Sequence, residues 1–272
     1  MIPTLSMRNL RLLIEYDGTK YHGWQTQPQV VTIQRTIEKT IERIVQEPVN
    51  LTGSGRTDAK VHALGQVANF RSRSHIEAST LRKGLNGHLP KDIVIRRVEE
   101  VPLEFDSCLD ALSKTYRYSL LNQAERVAIG RDYSFHCPTP LILEKMEEAS
   151  AHLLGEHDFS SFRSSFCSAT HPVRRIRRAQ FQREGDLLQF YIESNGFLHH
   201  MVRCIVGTLL DVGRGKITPD EFRGILEAKD RKLAGRTAKP WGLCLMEVQY
   251  PEEELNEGNE YGKERRRPSN EA

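Results

Sequence analysis

The chain has no apolar run long enough to cross a bilayer, and Met1 to Leu10 lacks the charged-then-apolar pattern of a secretory signal. Both absences predict a soluble, cytoplasmic protein with no membrane partner. Cysteine is sparse and scattered: Cys108, Cys137, Cys167, Cys204 and Cys244 form no CxxC pair. That spacing argues against a zinc site and against a disulfide framework, and predicts reduced, mostly structural thiols. The ten histidines include no HExxH. Gly215-Lys216 runs into Ile217 without the upstream glycine of a phosphate-binding loop, and no GxSxG elbow occurs. Gly53-Ser54-Gly55 continues to Asp58 where a dinucleotide fingerprint would need its third glycine. Neither a nucleotide cofactor nor a metal is therefore expected.

What is present is enough chain for a large core. The 272 residues are 38% hydrophobic and 28% charged, which suits one large domain or, preferably, two of ordinary size. The net charge is only +3, but the stretch from Glu252 onward is acidic overall and has little to bury, so it is expected to be disordered. The remaining chain is moderately basic. Arg174, Arg175, Arg177 and Arg178 crowd together, with Arg71, Arg73, Arg82 and Lys83 as a second group. Such clusters are either a solvated face or the electrostatic footprint of a polyanion.

The chain is organised around Gly53 to Ala63, a polar loop between two apolar runs, with Asp58 at its centre. Gly53 and Gly55 admit backbone conformations that a Cβ obstructs, and Arg56, Thr57 and Asp58 offer a cation, a hydroxyl and a carboxylate in succession. Asp58 is either a local turn residue bonding its own backbone or a presented reactive carboxylate.

Around this loop the periodicities predict strands at Asn9 to Tyr16 and Val49 to Thr52, a weaker strand at Gln66 to Phe70, and one at Ile93 to Val98. Thr32 caps a helix with Ile33, Ile37, Ile41, Ile44 and Val45 on one face, and Leu81, Leu85 and Leu89 mark a second. Tyr21, His22 and Trp24 lie in a polar loop and read as exposed aromatics waiting for a partner. The order suits an antiparallel sheet with helices on one face. A second unit begins near Ser113 with a strand through Tyr116 and Tyr118, a helix from about Leu143 to Leu154, and a hairpin turning at Glu184-Gly185-Asp186. Phe197 to Val212 reads as a helix apolar over most of its circumference. Thr218-Pro219-Asp220-Glu221 is a capping box, and Gly242 to Tyr250 is the last strand.

Arg203 stands out in the apolar helix. Its neighbours one turn away are His199, His200, Val206 and Gly207, none of them acidic. A partly buried guanidinium needs a carboxylate or phosphate, so its partner comes from elsewhere or it snorkels to water. Asp58 is a candidate partner. His199 and His200, adjacent on a helix, would point about 100° apart, a poor arrangement for one metal.

Several stretches together resemble one family. Gly55 to Ala63 resembles the Gly-Arg-Thr-Asp-Ala-Gly-Val-His-Ala loop of tRNA pseudouridine synthases of the A type, departing only at Lys60. Glu15 to Gln25, Tyr116-Arg117-Tyr118, Gly155 to Phe162 and Phe197 to Arg203 are similar to that family's other motifs, in the same order, over about Leu10 to Tyr250. The resemblance implies an α+β fold of two RNP/ferredoxin-like domains with joined antiparallel sheets, helices packed on one side and a catalytic cleft between them. The domains would be 1–110 and 111–251, followed by the charged tail 252–272. It further implies a homodimer without cofactor that converts uridine to pseudouridine in the tRNA anticodon arm, at positions 38–40.

By position, Asp58 would be the nucleophile, Arg203 its partner, and Tyr116 the ring that stacks on the target base and could take the C5 proton. Arg56 would fill the space of the flipped nucleotide. Thr57, Lys60, His62, Tyr21, Trp24, His199, His200 and the arginines Arg174, Arg175, Arg177 and Arg178 would contact RNA. Two departures stand near the inferred RNA path: Lys60 in place of Gly, and Phe105-Asp106-Ser107-Cys108 in place of Phe-His-Ala-Arg. A binding protein of this fold without turnover, or a hydrolase with an Asp nucleophile, are the other classes. The hydrolase lacks the carboxylate cluster or triad it would need.

Overall fold

The structure, a computed structural model, describes residues 6–251 except 165, 166 and 168. The tail expected to be disordered lies outside the described residues.

Period-2 burial builds the first half. In β1 (Arg8–Tyr16) the alternate residues Leu10, Leu12, Ile14 and Tyr16 are buried, while Arg8, Arg11 and Glu15 reach across to Glu100, Glu99 and Arg96 of β4 (Ile93–Val101). These cross-strand pairs of opposite charge favour one register. α1 (Ile33–Val45) buries Ile33, Ile37 and Ile41 on one stripe and ends where Gln46 turns left-handed at φ 58°. Thr32 occupies the cap position, but its hydroxyl makes no capping bond.

The strand expected at Val49 to Thr52 shrinks to β2 (Thr52–Gly53), paired with β3 (His62–Ser72). The reason is that Leu51 is satisfied by side chains. Glu38 accepts from its N–H (3.2 Å) and Gln34 donates to its carbonyl (2.9 Å), so no ladder is needed there. α2 (Ala78–His88) follows as expected, with Leu81 and Leu85 buried.

The second half holds β5 (Ser113–Leu121), the two-residue β6 (Phe135–His136), α3 (Leu143–Ala151), β7 (Gly155–Asp158), β8 (Val173–Glu184) and β9 (Leu187–Ser194). β6 and β7 had no readable pattern because each is too short to alternate. α4 runs Met201–Gly213, starting four residues later than expected, and α5 runs Pro219–Ala228 behind the anticipated capping box. Glu221 donates its N–H to Thr218 Oγ1, and its carboxylate accepts from the Thr218 N–H.

β10 (Leu243–Gln249) joins the halves. The strand order is β4-β1-β3-β10-β5-β9-β8-β7, one continuous sheet in which β10 runs antiparallel to β5 but parallel to β3. The parallel contact places Cys244 opposite His62 and Leu245 opposite Ala63. It requires Gly65, since a Cβ there would lie 2.4 Å from the Met246 carbonyl oxygen. α1 and α2 pack together on the first half, and α3, α4 and α5 form a second group on the other. The sheet is thus antiparallel except for β3–β10 and β5–β6.

Candidate active site

The loop carrying Asp58 is stapled from beneath. Ser54 donates its N–H to the Val67 carbonyl (2.8 Å) and its Oγ bonds Gln66 Oε1 (2.7 Å), while Gln66 Nε2 donates to the Gly55 carbonyl (2.9 Å). Thr57 Oγ1 lies 2.7 Å from the Tyr16 hydroxyl, and the Thr57 carbonyl accepts from the Trp24 N–H (3.0 Å). Gly23, at φ 89°, leaves room for that contact, because a Cβ would meet the Thr57 carbonyl oxygen at 2.6 Å.

This corrects the reading of Tyr21 and Trp24 as exposed aromatics: both are buried, Trp24 at 2% exposure. The Trp24 ring lies 6.0 Å from that of Tyr16 and against Gly53, and the Tyr21 hydroxyl donates to Asp92 (2.6 Å). The two rings support the Asp58 loop from below and are not placed to stack on a base.

Asp58 is paired across the sheet junction. Its Oδ2 accepts from Arg203 Nη1 at 2.7 Å, and Arg203 Nε donates to the Ala238 carbonyl at 2.8 Å. Gly207, one turn along α4, lets the backbone near Arg236 approach closely enough to present that carbonyl. Among the described residues no backbone N–H donates to the Asp58 carboxylate, so the turn-residue reading falls. Arg203 does not snorkel either, its side chain being 14% exposed.

His199 and His200 precede α4 rather than belonging to it. His200 is its N-cap at φ 63°, and the His199 carbonyl accepts from the Ser164 N–H (2.9 Å). The expected divergence is therefore replaced by convergence. The two rings are 3.9 Å apart, His199 Nε2 lies 3.5 Å from Asp58 Oδ1, and His200 Nε2 lies 3.4 Å from Oδ2. These three donor atoms lie within 4.8 Å of one another, close enough to hold a metal ion, although the Arg203 cation already occupies Asp58 Oδ2. Burial pushes the His200 imidazole below its ordinary pKa, with Arg203 and His199 acting the same way and Asp58 opposing.

Asp58 opens into a cavity of about 680 Å³ shared with Arg56, Lys114, Tyr116, Phe197 and His200. Tyr116 meets Phe197 edge to face, 5.1 Å between centroids at 89°. Burial raises the Tyr116 phenol far above its usual range, and the nearby Tyr16 and Asp58 add to the shift. It stays protonated at neutral pH.

The remaining expected contacts scatter. Arg56 is exposed at the cavity and Thr57 lines it, whereas Lys60 is exposed beside it with φ 66°. His62 is buried away from the cavity: its Nδ1 accepts from the Gly18 N–H (3.2 Å), and its Nε2 contacts the Asp132 carbonyl (2.9 Å).

The arginine cluster splits. Arg178 lies opposite Glu193, outside the core-facing Ile192 and Ser194, and covers Tyr191 at 5.0 Å. On that outer face Arg177 pairs with Glu193 (3.8 Å) and Arg175 with Glu156 (3.3 Å). Arg174, two residues before buried Ile176, faces the cleft side. Lys114 was missed as a site residue; its signal was its place two residues before Tyr116 on one strand, hence on the same face.

A continuous sheet with an open cleft at its seam, edged by cations and floored by aromatic rings, suits an enzyme of the α+β class that takes a polyanionic substrate. Comparisons with known proteins narrow this. The tRNA pseudouridine synthase family model matches residues 12–109 and 149–251. A tRNA pseudouridine synthase A from Geotalea uraniireducens is 46% identical over 244 residues, covering 90% of this chain and all of the relative. One from Acetivibrio thermocellus is 48% identical over the same spans. Among solved structures, a Cbf5-Nop10-Gar1 complex overlaps 86% of this chain and 57% of its own at 13% identity and a TM-score of 0.33, too loose a fit to bear on the site. The chain belongs to the tRNA pseudouridine synthase family. It is an isomerase that converts uridine in tRNA.

Proposed function

We propose that the protein modifies uridines of the tRNA anticodon arm, with Asp58 as the nucleophile. The observation that carries this reading is the Asp58–Arg203 pair at 2.7 Å, in the wall of a cavity wide enough for a flipped nucleotide. The guanidinium, itself bonded to the Ala238 carbonyl, fixes the direction of the carboxylate. Isomerisation breaks the bond from N1 of the base to C1′ of the ribose, rotates the base and joins C5 to C1′. N1 gains a proton, C5 loses one, and no atom is added overall. A carboxylate serves by attacking either C1′ or C6 and leaving again.

Tyr116 contributes a flat floor for the base. Its raised pKa argues against the phenolate that removal of the C5 proton would call for. His200, its pKa lowered by burial, adds no charge at neutral pH and leaves the Asp58 carboxylate to Arg203. A two-domain protomer, 1–110 and 111–251, and a homodimer complete the reading; light scattering tests the dimer.

The deciding experiment incubates the protein with unmodified tRNA transcripts and maps pseudouridine at nucleotide resolution. Wild type should modify the anticodon arm, and Asp58→Asn should bind but modify nothing. Modification confined to another arm removes the substrate assignment. Turnover by Asp58→Asn removes the nucleophile.

A further inference from the structure

Lys114 occupies an unusual place. Strand alternation puts it on the same face of β5 as Tyr116 and Tyr118, both buried, and it lines the cavity that Asp58 opens into. A Cβ built on Gly55 would lie 3.4 Å from its Nζ, so the ammonium rests against the bare backbone of the loop, three residues before Asp58. Among the described residues it forms no ion pair.

A second cation acts on it. Arg174 faces the same side of the sheet, its Nε 3.4 Å from a Cβ built on Gly196, while Nη1 donates to the His171 and Val173 carbonyls. Gly196 leads directly into Phe197, the ring packed on Tyr116. Burial lowers the Lys114 pKa; Cys108 opposes that shift, and Arg174 adds to it. Burial also lowers that of Arg174. Two partly desolvated cations without a carboxylate are unfavourable in the free protein, and the deficit disappears when an anion arrives.

Resting on the reading that a flipped uridine enters this cavity, we propose that Lys114, seconded by Arg174, is the seat of an RNA phosphodiester flanking that uridine. The anion is a phosphate rather than a base edge because an ammonium on a flexible stem acts as a point charge without a directional fork. A backbone phosphate held here fixes the ribose while Asp58, on the neighbouring loop, faces the glycosidic bond and Tyr116 the base. Lys114 is thus a substrate-binding residue on the Tyr116 strand, distinct from the Asp58–Arg203 pair.

The experiment measures tRNA binding in an Asp58→Ala background, so its outcome is independent of whether Asp58 is the nucleophile. Adding Lys114→Gln should weaken affinity several-fold and lower the log-log salt slope by about 0.7–0.9, the value for one phosphate contact. Lys114→Arg should restore the slope. Replacing the phosphate on either side of the mapped uridine with a neutral methylphosphonate should weaken binding to the Lys114 protein and leave the Lys114→Gln protein indifferent at one of the two positions.

Lys114→Met, which removes the charge while keeping the stem, should raise the melting temperature of the free protein and bind as Lys114→Gln does. It also stands in should the glutamine variant fail to fold. An unchanged slope with undiminished methylphosphonate sensitivity in both variants overturns the proposal. So does a lower melting temperature in Lys114→Met with normal binding, which makes Lys114 structural.

Discussion

Asp58 and Arg203 are 145 residues apart in the chain and 2.7 Å apart in space, joined across the seam where β10 couples the two halves of the sheet. The guanidinium is also bonded to the Ala238 carbonyl, so its direction is fixed before any substrate enters. Arg203→Leu should therefore lower single-turnover isomerisation by about a hundredfold or more, the scale of losing one preorganised polar group. The melting temperature should move only a few degrees. Arg203→Lys keeps charge without the fork and should recover only part of the rate. A variant that unfolds, yet has wild-type specific activity in its folded fraction, would make Arg203 structural.

That pair was foreshadowed by an absence: Arg203 had no acidic neighbour one turn away in its own helix. Local signals were equally readable elsewhere, as in the isoleucine stripe of α1 and the capping box of α5. What could not be read was non-local. The meeting of β10 with β3 needs Gly65 beside Met246, a contact between chain segments far apart in sequence. The helix start at Phe197 failed because His200 turns left-handed and the His199 carbonyl is taken by Ser164. A polar loop composition hid the burial of Tyr21 and Trp24, whose rings turn under the loop that carries them.

His200 gives the protein a pH dependence of definite sign. Its folded pKa lies below the ordinary 6.5, so between the two values the unfolded chain binds more protons than the folded one. Stability attributable to this residue is constant above 6.5 and is lost as pH falls through 6.5 towards the folded value. The groups facing it are Asp58, Arg203, His199 and Arg231. Melting temperatures recorded from pH 7.5 to 5.5 should decline more steeply for wild type than for His200→Gln. Parallel curves would show that His200 carries no folded-state shift.

Trp24 separates support from substrate contact. It is 2% exposed and its ring packs against Tyr16 and Gly53, while its backbone N–H donates to the Thr57 carbonyl beside Asp58. Trp24→Ala should cost about 3–5 kcal/mol, as a large buried aromatic does. Trp24→Phe should fold with a smaller loss. Both should bind tRNA, when folded, within about twofold of wild type. Normal melting with weakened tRNA binding would return Trp24 to the RNA surface.

Lys60 is the place where the Asp58 loop departs from its family's glycine, and its backbone has φ 66°. A residue with a Cβ is strained there by about 1 kcal/mol, part of which glycine would give back as unfolded-chain entropy. The conformation is held because the Lys60 N–H donates to the Tyr21 carbonyl (3.2 Å), and Val61 bonds back to the Asp58 carbonyl (3.1 Å). Lys60→Gly should accordingly be as stable as wild type or slightly more so. The side chain is exposed two residues from Asp58, and its long stem suits an RNA phosphate outside the cavity. Lys60→Gly should then weaken tRNA binding several-fold with the saturating single-turnover rate nearly unchanged, whereas Lys60→Arg should bind normally. Thermal melts and single-turnover kinetics across a tRNA series read both effects. Unchanged affinity in Lys60→Gly would leave the strained lysine without a substrate role, and a large loss of stability would mean that its stem, not its backbone, matters to the loop.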